Sequence, residues 1–148
     1  MADWSKQRYF EDVTEGEEVP SLSFNISVQR LVIEAGANRD YAPIHHNTPF
    51  AKATGAPDMY ANVTFICGWW DRTVREYIGL EGVIKKLGPF RLRVFNLVGE
   101  TVACKGTVKR KYQEKGENLV ELVMHTEDSK GVTTGPGPVL VSLPSKPR

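Results

Sequence analysis

Nothing in this chain approaches the roughly 18 consecutive apolar residues of a membrane-spanning helix, so no segment is expected to cross a bilayer. Charge of one sign is missing too. The 19 Lys and Arg stand against 18 Asp and Glu, a net charge of +1, which leaves no broad field to favour nucleic acid or a membrane surface. The first residues, Met1-Ala2-Asp3-Trp4-Ser5-Lys6, lack the apolar core of a secretory signal. Cysteine is scarce: Cys67 and Cys104 both sit inside apolar patterns and not in paired loops. They read as small buried hydrophobes of a reducing compartment, and a cytoplasmic protein is expected. Histidine is too sparse for a metal centre, which takes about three or four convergent ligands; beside His45 and His46 only His125 remains, on a distant strand. Repeats, linkers and low-complexity segments are also absent, so a single domain over residues 1–148 is expected, with a short tail from about residue 144. At 148 residues and 41% hydrophobic, the chain has the length and composition for one real core.

The order of elements follows from periodicity. Residues 10–18 are acidic and read as a loop. Residues 21–28 alternate with period two, as a half-buried strand does. Residues 29–36 carry Leu31, Val32 and Ala35 at helical spacing, with Gly36 as the C-terminal cap, and residues 48–53 read as a short helical turn opened by Pro49. From Asp58 onward Met59, Val63, Ile66, Cys67, Trp70, Val74, Tyr77 and Ile78 recur every three or four positions, which predicts a long helix ended by Gly79. Its far face carries Thr64, Gly68, Asp71, Arg72 and Arg75. Strands follow: residues 82–98 with a bend at Gly88-Pro89, residues 100–113, residues 118–127 and residues 139–143, joined by turns at Lys115-Gly116 and Ser129-Lys130. One long, largely apolar helix wrapped by an antiparallel meander is an α+β hot-dog arrangement.

The segment Asp40-Tyr41-Ala42-Pro43-Ile44-His45-His46 carries the chemistry. The preference of an X-Pro segment for extended backbone predicts that both Asp40 and His45 aim at one point. A carboxylate and a neutral imidazole that share a water form a general acid/base pair. The imidazole titrates near neutral pH, and the carboxylate orients it or takes the second proton. Taken alone, an Asp and a His at this spacing also fit a capped turn.

With Asp40, Pro43, His45, Phe50-Ala51 and the long helix in that order, the chain resembles the MaoC-like (R-specific) enoyl-CoA hydratases, from Arg8-Tyr9-Phe10-Glu11-Asp12 through the last strand. Arg39 stands where that family has glycine, Ala42 where it has asparagine, Asn47 where it has aspartate, and Val63 where a glycine opens the central helix. The pattern is most similar to the small hydratase subunits of bacterial steroid side-chain degradation, which work beside a second hot-dog subunit. The resemblance implies hydration of a trans-2-enoyl-CoA, fatty or steroid, to a 3-hydroxyacyl-CoA, with coenzyme A as part of the substrate and no other cofactor. It implies His45 as the main base, Asp40 as its partner, and the backbone N–H of Val63 as donor to the thioester oxygen. Asn62 is expected to cap the helix or touch the acyl thioester. His46, on the opposite side of an extended segment, is a candidate for substrate or a subunit contact. Lys109, Arg110 and Lys111, with Lys85 and Lys86, are either a coenzyme A phosphate site or a solvated strand face. Trp70 reads as core, and Trp69 as core, acyl tunnel or subunit contact. A homodimer or a heteromer with another hot-dog subunit is expected, the exposed sheet edge needing cover. Two alternatives stand beside the hydratase: an acyl-CoA thioesterase, which attacks the carbonyl, and a non-catalytic subunit that binds acyl-CoA or a partner.

Overall fold

The structure is a computed structural model that describes residues 6–147; residues 1–5, read above as lacking a secretory signal, and Arg148 of the tail lie outside the described residues. Strand β1 (Glu18–Asn25) leads to helix α1 (Val28–Asn38), a single 3-10 turn at Pro43–His45 and the short α2 (Thr48–Ala53). The central helix α3 (Val63–Ile78) follows, and then strands β2 (Val83–Leu87), β3 (Thr101–Glu114), β4 (Glu117–Asp128) and β5 (Gly131–Ser142). One five-stranded, fully antiparallel sheet in the order β1-β3-β4-β5-β2 packs against α3, the expected hot-dog arrangement. Among the described residues no helix is long and apolar enough to cross a membrane.

The apolar stripe of α3 makes the core. Ile66, Val74 and Ile78 are fully buried, each such side chain contributing roughly 1.5–3 kcal/mol. Trp69 and Trp70 are both buried core residues. Trp70 donates its indole N–H to Thr126 Oγ1 at 2.8 Å, while Trp69 lies between Phe24 and Phe65. Cys104 is buried and Cys67 half-buried, both as free thiols, and burial pushes the Cys104 thiol up to about 11.

Several boundaries differ from the sequence expectations. The first strand ends at Asn25 and not at Val28, because Ser27 turns out to cap α1, its Oγ accepting from Arg30 N–H at 3.2 Å. That helix runs past Gly36 to Asn38, and Arg39, in the left-handed region at φ 56°, is the residue that ends it. Helix α3 starts at Val63, five residues later than its periodicity suggests. Residues 59–61 instead run antiparallel to residues 96–98, through Val98 N–H to Met59 O (3.0 Å) and Ala61 N–H to Asn96 O (2.9 Å). The segment around Pro43 is a 3-10 turn and not extended, although Ala42 before the proline is.

The expected strand over residues 82–98 stops at Leu87, and residues 88–97 form a loop over the end of α3. In exchange β5 is more than twice as long as expected. Residues 131–138 of it, with Gly135-Pro136-Gly137-Pro138, lie beyond the reach of β2 and border that loop, so the missing proline N–H groups break no regular ladder there. The loop is tied to it by Gly88 N–H to Pro138 O (2.9 Å), Gly135 N–H to Arg91 O (2.8 Å) and Arg93 N–H to Thr133 O (2.9 Å). Gly137 permits the contact: a Cβ there would meet Pro89 O at 2.8 Å and the Trp70 ring at 3.1 Å. Gly137→Ala is therefore expected to destabilise the fold by about 1–3 kcal/mol in chemical denaturation.

Candidate active site

Three local choices of backbone bring the site together. Helix α1 ends just before Asp40, whose N–H bonds to Ala35 O at 3.0 Å. The 3-10 turn then carries the chain round and buries His45. The pairing of residues 59–61 with residues 96–98 brings Tyr60 and the start of α3 against that turn. A cleft of about 530 Å³ opens between these segments and the loop at residues 88–97, and Asp40, His45, Asn62 and Val63 all line it.

His45 donates from Nδ1 to the Tyr60 carbonyl at 2.7 Å. A carbonyl only accepts, so the proton of the neutral ring is fixed on Nδ1, and the basic lone pair of Nε2 is left for the cleft. Nε2 stands 3.3 Å from Asp40 Oδ2, with the histidine side chain 7% exposed and the aspartate 37%. Edge-on contact with the Tyr60 ring, itself against Phe95, holds the imidazole in place.

Asn62 does two things. Its Oδ1 accepts from Phe65 N–H at 2.8 Å and caps α3, and its Nδ2 donates to Asp40 Oδ2, also at 2.8 Å. That donated bond, more than any other contact, holds the Asp40 carboxyl below the usual carboxylate range, against a smaller opposing effect of burial. The Ala42 N–H, His45 and His46 add to it. Because Phe65 N–H goes to the cap and Ile66 N–H to Asn62 O (3.2 Å), the N–H groups at the head of α3 with no partner among the described residues are those of Val63 and Thr64, both on the cleft. The Val63 side chain is 50% exposed.

Thus Asp40, His45, Asn62 and Val63 are brought together, and the other candidates are not. His46 is exposed and caps the 3-10 turn without lining the cleft; the turn is not extended, so its outward direction has a different cause from the one expected. Lys109 and Arg110 pair with Glu121 across the sheet, and Lys111 donates to Phe10 O at 3.2 Å, so this basic run is a strand face away from the cleft. Lys85 pairs with Glu117. His125 pairs with Glu127, and no group of three or more metal-ligating side chains exists among the described residues. Asn47, in place of the family's aspartate, caps α2 by accepting from Phe50 N–H at 2.9 Å.

Sequence reading missed two contributors: the Tyr60 carbonyl and the loop residues Leu92 to Asn96. A carbonyl leaves no trace in sequence.

No family model matches the chain. It is 31% identical over 93 residues, 63% of this chain and 71% of the relative, to the 3-oxo-4,17-pregnadiene-20-carboxyl-CoA hydratase beta subunit of Mycobacterium tuberculosis. Its fold superposes on one chain of the ChsH1–ChsH2 complex from M. tuberculosis with a TM-score of 0.79 at 24% identity, covering 88% of this chain and 98% of that one. It superposes equally, at a TM-score of 0.79 and 15% identity, on the (R)-hydratase from A. caviae involved in PHA biosynthesis, with coverage of 90% and 99%. The hot-dog fold is thereby that of hydratases, and the chain belongs to the MaoC-like hydratase family.

Two variants separate the roles of Asn62. Asn62→Ala is expected to cost about 1 kcal/mol of stability through the lost cap and to raise the Asp40 pKa toward its ordinary value. Asn62→Asp is expected to keep the cap and raise that pKa further, by placing a second carboxylate beside the first. Carboxyl NMR titration together with denaturation reads both effects.

Proposed function

We propose that this chain hydrates a trans-2-enoyl-CoA, with His45 moving the proton and Asp40 orienting the water and the imidazole. The observation that carries the reading is the placement of Asp40 Oδ2 and His45 Nε2 at 3.3 Å on one cleft, beside the free N–H groups that open α3.

A water bound between the two groups gives one proton to His45 Nε2 as its oxygen bonds to C3 of the enoyl thioester. The C2–C3 π electrons pass to the thioester as an enolate, whose oxygen accepts from the Val63 N–H with the positive end of the helix behind it. The proton then returns from the imidazolium to C2, so that one water is added and no group is left changed. Asp40, held ionised by Asn62, orients the water and stabilises the imidazolium while it exists. Lowering the Asp40 pKa suits that role, since the residue then stays charged across the neutral range. The side chain of Val63 does not enter the reaction, but its bulk at the mouth selects among acyl groups.

The partner we propose is a second hot-dog subunit. The similar curated protein is a beta subunit, and the similar solved chain lies in a two-protein complex. Leu92, Val94 and Phe95 leave one wall of the cleft apolar and exposed, which another subunit would cover. Two free thiols fit a reducing compartment, the cytoplasm.

Loss of enoyl-thioester absorbance tests the reaction, with fatty and steroid-type substrates. Asp40→Asn and His45→Ala are each expected to lower turnover about 10²–10⁴-fold with the fold retained. Turnover untouched by both substitutions would remove these residues from the chemistry.

A further inference from the structure

Asn96 is buried at the cleft without the bonds that burial of a carboxamide calls for. It is 2% exposed, although Leu92, Val94 and Phe95 just before it are exposed, and it lines the cleft with Asp40, His45 and Asn62. Its backbone is fixed there, since its carbonyl accepts from Ala61 N–H at 2.9 Å, one residue before Asn62 and the head of α3. The side chain is held far less well. Its Oδ1 is buried with no hydrogen-bond partner among the described residues, and its Nδ2 reaches Thr134 Oγ1 only at 3.5 Å. A good N–H to O bond is about 2.7–3.2 Å long, so that contact is weak. Buried polar groups are nearly always bonded, and an apolar side chain of the same shape would fill this position at less cost.

We propose that Asn96 binds the coenzyme A arm at the amide nearest the thioester, with Oδ1 accepting the amide N–H and Nδ2 donating to the amide carbonyl. This role rests on the hydratase reading of the cleft. A carboxamide oxygen only accepts, so its partner must bring a donor. The enoyl chain and its thioester bring none. The attacking water has donors, but the reaction commits it to His45 and Asp40. The nearest donor left on the substrate is the N–H that an ethylene link separates from the thioester sulfur. Its position fits as well. The thioester oxygen goes to Val63 N–H, and Asn96 is bonded to Ala61, two residues earlier and at most about 7 Å away along the chain. A secondary amide carries one donor and one acceptor, which answers both ends of the Asn96 side chain. Little opposes the turn that presents them, because the torsion of the carboxamide plane is soft and its contact with Thr134 is weak. An arm anchored at this point fixes how far the enoyl group reaches toward Asp40 and His45.

The test uses two saturated thioesters that cannot be hydrated, hexanoyl-CoA and the hexanoyl thioester of N-acetylcysteamine, which keeps that one amide and nothing beyond it. NMR titration of the full chain is expected to shift the Asn96 side-chain amide with both. Asn96→Leu keeps the shape of the side chain without its polar atoms, so the fold is expected to hold. It is expected to weaken both thioesters by about tenfold. Equal affinity in Asn96→Leu, or a loss confined to hexanoyl-CoA, would overturn the inference and leave the hydratase reading standing. Failure of the unaltered chain to bind hexanoyl-CoA would remove that reading and this role with it. Should the leucine variant not fold, Asn96→Ala is measured in its place against the same outcomes.

Discussion

The Asn62 carboxamide is the joint on which the site depends. With its oxygen it stops the first turn of α3 from fraying, and with its nitrogen it holds Asp40. One side chain thus fixes both the helix end that offers free N–H groups and the carboxylate that faces them. Among the described residues, its bond to Asp40 is what joins the head of α3 to the loop after α1 at the cleft. Ala42 stands before Pro43, so the carboxamide that holds Asp40 comes from the helix cap and not from the segment around the proline.

Around that joint the backbone does as much as the side chains. The Tyr60 carbonyl chooses the His45 tautomer, and Tyr60 is where it is because residues 59–61 pair with residues 96–98. Those in turn belong to the loop that β5 anchors. A chain of contacts therefore runs from Gly137 and the Trp70 ring, deep in the core, to the imidazole at the cleft. Packing of the sheet against α3 and placement of the base are one problem for this chain.

Much of this was legible in the sequence, for reasons that can be stated. The apolar stripe of α3 from Ile66 to Ile78, the alternation of β3 and the Lys115-Gly116 turn are local patterns that appear where the pattern puts them, whereas Val63, counted in that stripe, is half exposed on the cleft. Asp40 and His45 were readable because proline spacing and the following helix gave them context. What the sequence hid was non-local. The residues before Val63 have helical periodicity but are held by a strand-like pairing. Residues 131–138 have glycines and prolines that suggest a loop, yet pair with β4 because their other side meets only irregular backbone. The basic run at Lys109 to Lys111 gave charge without direction, and Glu121 on the neighbouring strand accounts for two of its three residues.

The central claim is that Asp40 and His45 add water across a carbon–carbon double bond, and the product of the reaction in deuterated water tests it most directly. Mass spectrometry is expected to find a 3-hydroxyacyl-CoA carrying deuterium at C2, with the thioester intact. Free coenzyme A with no deuterium at C2 would show attack at the carbonyl and contradict the account.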